Sequence, residues 1–118
     1  MNSNYKIINP SAISANLMDN KAIIKQFLGL YQTQIPLDFE DLRDAVLAED
    51  HTEIASKAHH IKPTLGYIGA SSLHTKFQEL EHAGRNEDSI RTINHKFSLI
   101  EEEYNTLMDE INRYLETI

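Results

Sequence analysis

The stretch from Ile90 to Ile118 constrains the fold more than any other part of the chain. Ile90, Ile93, Phe97, Ile100, Tyr104, Leu107, Ile111, Tyr114 and Ile118 recur every three or four residues, over about eight helical turns. That spacing puts one apolar stripe along one face of a long helix. A stripe of this length is buried only where it runs the full length of a bundle, so a helix over about residues 88 to 117 is predicted to form one wall of it.

Three more segments carry the helical period, and none carries the alternation of a strand. Asn20 can cap a helix with apolar positions Ile24, Phe27, Tyr31, Ile35, Leu42 and Val46. Pro36 falls inside it and removes one hydrogen bond, but the stripe resumes in register, which predicts a bend rather than an end. Glu49 and Asp50 mark a short turn, with Asp50 the cap of a third helix over about residues 51 to 66. Ser71 or Ser72 can start a fourth, through Leu73, Phe77 and Leu80, stopping near Gly84. Ahead of them, Asn9 and Pro10 make the cap and first turn of a short helix that ends near Asn16. The expected fold is all-α: an antiparallel up-and-down four-helix bundle with a short extra N-terminal helix as a lid at one end. One domain is expected over residues 1–118, with the core bundle at about 20–117.

Composition narrows the function. With 11 basic against 18 acidic residues, the chain lacks the basic face that a nucleic-acid binder needs. It has no cysteine, so thiol chemistry and disulfides are excluded and a reducing cytoplasm suits it. No apolar run approaches the roughly 20 residues of a membrane span. The N-terminus, MNSNYKIINP, lacks the basic and apolar regions of a secretory leader, and a soluble cytoplasmic protein is expected.

The chemistry is expected in KAHHIKPTLGYIGAS, residues 57–71. Ile54, Ala58, Ile61, Leu65 and Ile68, at spacings of 4, 3, 4 and 3, form a buried helix edge. His59 lies about 100° round from Ala58, at the rim of the core with its ring reachable from outside. Lys62, Pro63 and Gly66 follow on the same flank, placing a positive charge beside the ring and bare backbone one turn further on. His60 points a further 100° round and is expected to be solvated. His51, His74, His82 and His95 lie on separate elements or polar faces and are given no role.

This pattern resembles the histidine-containing phosphotransfer (HPt) domain family of bacterial phosphorelays. The family's sequence runs roughly Ala-His-x-Leu-Lys-Gly, then a hydrophobic residue with Gly-Ala, and Leu-Glu about twenty residues after the histidine. Ala58, His59, Ile61, Lys62, Ile68, Gly69, Ala70, Leu80 and Glu81 fall on the matching positions, and the likeness extends over roughly residues 20 to 115. The main departure is Pro63, where the family usually has glycine. Either proline bends the helix and carries the imidazole further into solvent, which is the reading preferred here, or the chain is a degenerate carrier.

The resemblance implies that His59 is the phosphorylated residue, attacking through Nε2 while Glu81 orients the ring through Nδ1. Lys62 would screen the phosphoryl group, and Arg85, one turn after Glu81, would add a second cation. It implies a carrier, not an enzyme. No cofactor of its own is expected, and magnesium is expected on the partner. The partners would be response-regulator receiver domains and a hybrid sensor histidine kinase, and the chain is expected to be a monomer. Pro63 and Gly66 would meet the partner, with Ala12, Ile13 and Leu17 of the leading helix lining a partly apolar docking surface. Two rivals remain: a metal-binding bundle, for which Glu79 and His82 supply only one Glu-x-x-His motif, and a helical interaction or dimerisation bundle without phosphoryl chemistry.

Overall fold

Each expected helix forms, and most begin at the side chain that was read as the cap. The computed structural model describes residues 5–118; residues 1–4 of the expected domain, and with them part of the stretch read as carrying no leader, lie outside the described residues. The helices are α1 (Pro10–Asn16), α2 (Lys21–Leu47), α3 (His51–Tyr67), α4 (Ser71–Arg85) and α5 (Ile90–Thr117), and no strand occurs among the described residues. Asn9 accepts from the N–H groups of Ser11 and Ala12, Asn20 from Ile23, Asp50 from Glu53 and Ser89 from Thr92, so each satisfies donors that the first turn leaves open. The exception is α4. It starts at Ser71, as expected, but its cap position is Ala70, which makes no side-chain bond.

α4 stops at Arg85, beside Gly84 as expected, but no glycine cap ends it. The left-handed residue that closes this helix is Glu87 (φ 54°), with the Asp88 N–H bonded back to the Ala83 carbonyl at 2.9 Å, and Gly84 lies buried inside the helix. Glu49 (φ 56°) closes α2 in the same way. Pro36 is carried within α2, which continues unbroken to Leu47.

The stripe on α5 is buried at Ile93, Phe97, Ile100, Leu107, Ile111 and Tyr114, and Tyr104 stacks on Phe39 with ring centroids 3.9 Å apart. On α2 the expected phase is partly wrong. Ile24, Ile35, Leu42 and Val46 are in the core, but so are Leu28 and Phe39, while Phe27 is exposed. The buried series 24, 28, 35, 39, 42 and 46 keeps helical spacing, and Phe27 lies about 100° off it.

Helix lengths explain the position of the N-terminal segment. At 1.5 Å per residue, the 28 residues of α5 span about 42 Å, matching the 43 Å long dimension of the molecule. The 17 and 15 residues of α3 and α4 reach only about 26 and 22 Å, so one end of the α2–α5 pair needs another cover. Residues 5–17 supply it. Glu110, only 1% exposed, accepts the backbone N–H groups of Lys6, Ile7 and Ile8 at 2.7, 2.9 and 3.0 Å. Tyr5 packs edge-on to Tyr114, the Asn9 N–H reaches the Ile68 carbonyl at 3.0 Å, and Asn16 Nδ2 donates to the Tyr67 carbonyl at 3.0 Å.

Candidate functional site

The buried edge of α3 is as expected: Ile54, Ala58, Ile61, Leu65 and Ile68 all lie in the core. His59, one position round, presents a side chain that is 64% exposed. Across the seam, burial of Leu73, Phe77 and Leu80 turns the next residue of α4, Glu81, toward α3, where its side chain is only 6% exposed. His59 Nδ1 and Glu81 Oε2 are 3.1 Å apart. Arg85 donates to the same oxygen from Nε at 3.0 Å and from Nη2 at 2.5 Å. The Lys62 ammonium lies 2.7 Å from Oε1, off the line of a well-directed hydrogen bond.

These charges decide the chemistry. Burial pushes the Glu81 carboxyl up, but the ammonium of Lys62, the guanidinium of Arg85 and the nearby His59 outweigh it and hold the group at about 2, below the ordinary 4.5. Near neutral pH Glu81 is therefore a carboxylate, which only accepts hydrogen bonds. The hydrogen in its bond with His59 must sit on Nδ1. A neutral ring held in this way keeps its free lone pair on Nε2, the nitrogen away from Glu81, and is poised as a nucleophile. A cation forming on the ring would meet Glu81 at once.

His59, Lys62, Glu81 and Arg85 are thus brought together. Lys62 is not the solvated charge it would be elsewhere on a helix: its side chain is 17% exposed and tied to Glu81. Pro63 and Gly66 stand exposed on the same helix as His59, and α3 runs through Pro63 to Tyr67. Ile13 and Leu17 do not line a surface. Both are buried, because α1 fills the end of the bundle that α3 and α4 leave open, and Ala12 is half-buried against Gly69. The hydrogen bonds of α1 reach Tyr67 and Ile68, eight and nine residues beyond His59, or about 12 Å along the helix.

His60 is 68% exposed, and its Nε2 stands 3.7 Å from Asp38 Oδ1, so nothing fixes this ring as Glu81 fixes His59. His51 Nε2 lies 2.7 Å from the Asp88 carbonyl, joining the start of α3 to the α4–α5 turn. Beside His59 the α3–α4 seam opens into a groove of about 620 Å³, whose lining includes Thr52, Ser56, Gly84 and Arg85. Sequence reasoning missed Ser56 and Gly84, although Ser56 at three residues before His59 shares its flank. Among the described residues no group of three or more His, Cys, Asp or Glu could hold a metal ion. No helix among them is long and apolar enough to cross a membrane.

Compared with known proteins, residues 26–116, well over half of the chain, match the family model described as the Hpt domain. No curated protein and no solved structure matches the chain.

Proposed function

The chain belongs to the Hpt domain family, whose members are phosphocarriers rather than catalysts and move phosphoryl groups on histidine within phosphorelays; from that premise we propose that His59 is the residue phosphorylated here. The observation that carries the reading is the 3.1 Å contact between His59 Nδ1 and a buried, ionised Glu81, which in the neutral ring places the hydrogen on Nδ1 and the free lone pair on Nε2 of an exposed side chain.

The donor in this reading is an aspartyl phosphate on a receiver domain. The Nε2 lone pair attacks phosphorus, the N–P bond forms, and the P–O bond to the aspartyl carboxyl breaks. The carboxylate leaves with the electron pair. Nδ1 keeps its proton, so the product is a phosphorylated imidazolium whose positive charge faces Glu81. Passing the group to a second receiver reverses these steps. No proton has to leave the ring, which is why few catalytic groups need to come from this chain; the receiver would bring the aspartate and magnesium.

Arg85, on a half-exposed side chain, can turn from Glu81 toward a phosphoryl group carrying nearly two negative charges, and Lys62 adds a second cation behind it. At so open a site each attraction is worth no more than about 1 kcal/mol. Pro63 and Gly66 would meet the receiver, together with exposed apolar side chains that α1 does not provide: Tyr67 on α3, and Leu37 on α2, next to the Asp38 that faces His60. The receivers would belong to a hybrid sensor histidine kinase on one side and to response regulators on the other.

Incubation with phosphorylated receiver domains tests the proposal. We expect acid-labile, base-stable label on the wild-type chain, none on His59→Gln, and largely unchanged label on His60→Gln. Glutamine fills similar space without a nucleophilic nitrogen. Label persisting in the first variant and vanishing in the second would move the site to His60, and no label from any receiver would favour a plain interaction bundle.

A further inference from the structure

The α3–α4 seam is the most extensively packed in the bundle, and at one point along it the two backbones meet. A Cβ added at Gly84 would lie 2.9 Å from the His51 carbonyl oxygen, 3.0 Å from the Ala55 nitrogen and 3.2 Å from the Ala55 Cβ. Two of these are backbone atoms of α3, which cannot turn aside as the end of a long side chain can. Gly84 lies within the helix with no left-handed φ to satisfy, and a helix interior favours alanine over glycine. What the position requires is the missing volume.

The contact stands one turn from the His59–Glu81 pair on both helices, since Gly84 follows Glu81 by three residues and Ala55 precedes His59 by four. We infer that Gly84 is a positioning residue for phosphoryl acceptance: its bare Cα lets α4 lie close enough to α3 for Glu81 to hold His59 Nδ1 at 3.1 Å. This rests on His59 being the carrier. A shift of α4 by about half an ångström or more would carry the pair to the limit of a hydrogen bond. The ring would then be free to place its hydrogen on either nitrogen, and a hydrogen on Nε2 occupies the lone pair that attack requires. Gly84 would act through Glu81 and touch neither the phosphoryl group nor the partner.

The test compares Gly84→Ala with Gly29→Ala, a control because an added Cβ at Gly29 meets nothing within 4 Å. The imidazole nitrogens of His59 are followed by NMR near neutral pH, and initial rates of labelling are measured against one phosphorylated receiver. We expect Gly84→Ala to turn the single Nδ1–H tautomer into a mixture and to slow labelling at least tenfold, with Gly29→Ala matching wild type in both. In a Glu81→Ala background, Gly84→Ala should cost less than a further twofold, because its route through Glu81 is already gone. If Gly84→Ala does not fold, Ala55→Ser enlarges the same contact from α3 and carries the same expectations. A folded variant of either kind with the wild-type tautomer and a rate within twofold of wild type overturns the inference. So does a loss of rate that is equally large without Glu81. Absence of label on the wild-type chain would sink the carrier reading instead, and the tautomer comparison would still decide the part played by Gly84.

Discussion

His59 and Glu81 are 22 residues apart in the chain and 3.1 Å apart in space, and the contact joins an exposed ring to a buried carboxylate. The ring is gripped from the core side by a group that is almost wholly buried, while its other nitrogen remains open. Two cations, Lys62 and Arg85, keep that group ionised despite its burial.

The first consequence is a dependence of stability on acid. The folded-state pKa of Glu81 is depressed from 4.5 to about 2, so its stabilisation is fully present above about pH 4.5 and is lost as the pH falls through the window toward 2. We expect the advantage of wild type over Glu81→Gln, measured by urea unfolding, to shrink by on the order of 2–3 kcal/mol between pH 5 and pH 2. An advantage that stays constant over that range would show that the carboxylate is not held in its charged form.

The local parts of this arrangement were legible in the sequence. Asn9, Asn20 and Asp50 act within a turn of their own helices, and the stripes on α3 and α5 each have a single possible phase. On α2 the apolar residues Phe27, Leu28, Leu30 and Tyr31 crowd together, so periodicity alone could not choose between neighbouring phases. What depends on the lengths and separations of other helices was not legible. Ile13 and Leu17 read as an exposed apolar surface until the shortness of α3 and α4 is known. Gly84 looked like a stop signal because glycine so often follows a helix, whereas its reason is a neighbouring backbone. Glu110 gave no signal, since its partners are main-chain groups about a hundred residues away.

Glu110 carries the second expectation. Three N–H groups of the N-terminal segment converge on one buried carboxylate, and removing it leaves them without their acceptor. Glu110→Ala should cost about 2 to 4 kcal/mol in chemical unfolding, since bonds to a charged acceptor are worth more than neutral ones. The His59 site, built from α3 and α4, should keep its tautomer. A loss below about half a kcal/mol would mean that residues 6–8 draw no support from this anchor.

Pro63 raises the last question, because it departs from the family's usual glycine one turn beyond His59. Proline has no N–H for the His59 carbonyl, yet α3 continues to Tyr67 and the proline ring stands exposed. The imidazole is oriented from α4, through Glu81, and not by the backbone at residue 63. Changing that backbone should therefore leave the ring in place. We expect Pro63→Gly to keep transfer from a cognate receiver within about tenfold of wild type, a barrier change of at most ~1.4 kcal/mol. If the proline ring instead blocks the approach of the partner, the same substitution removes the obstruction and transfer speeds up by much more. Transfer rates of both proteins, measured against the same phosphorylated receiver, separate the cases: an acceleration of about a hundredfold or more would mark the chain as a carrier impaired by its proline.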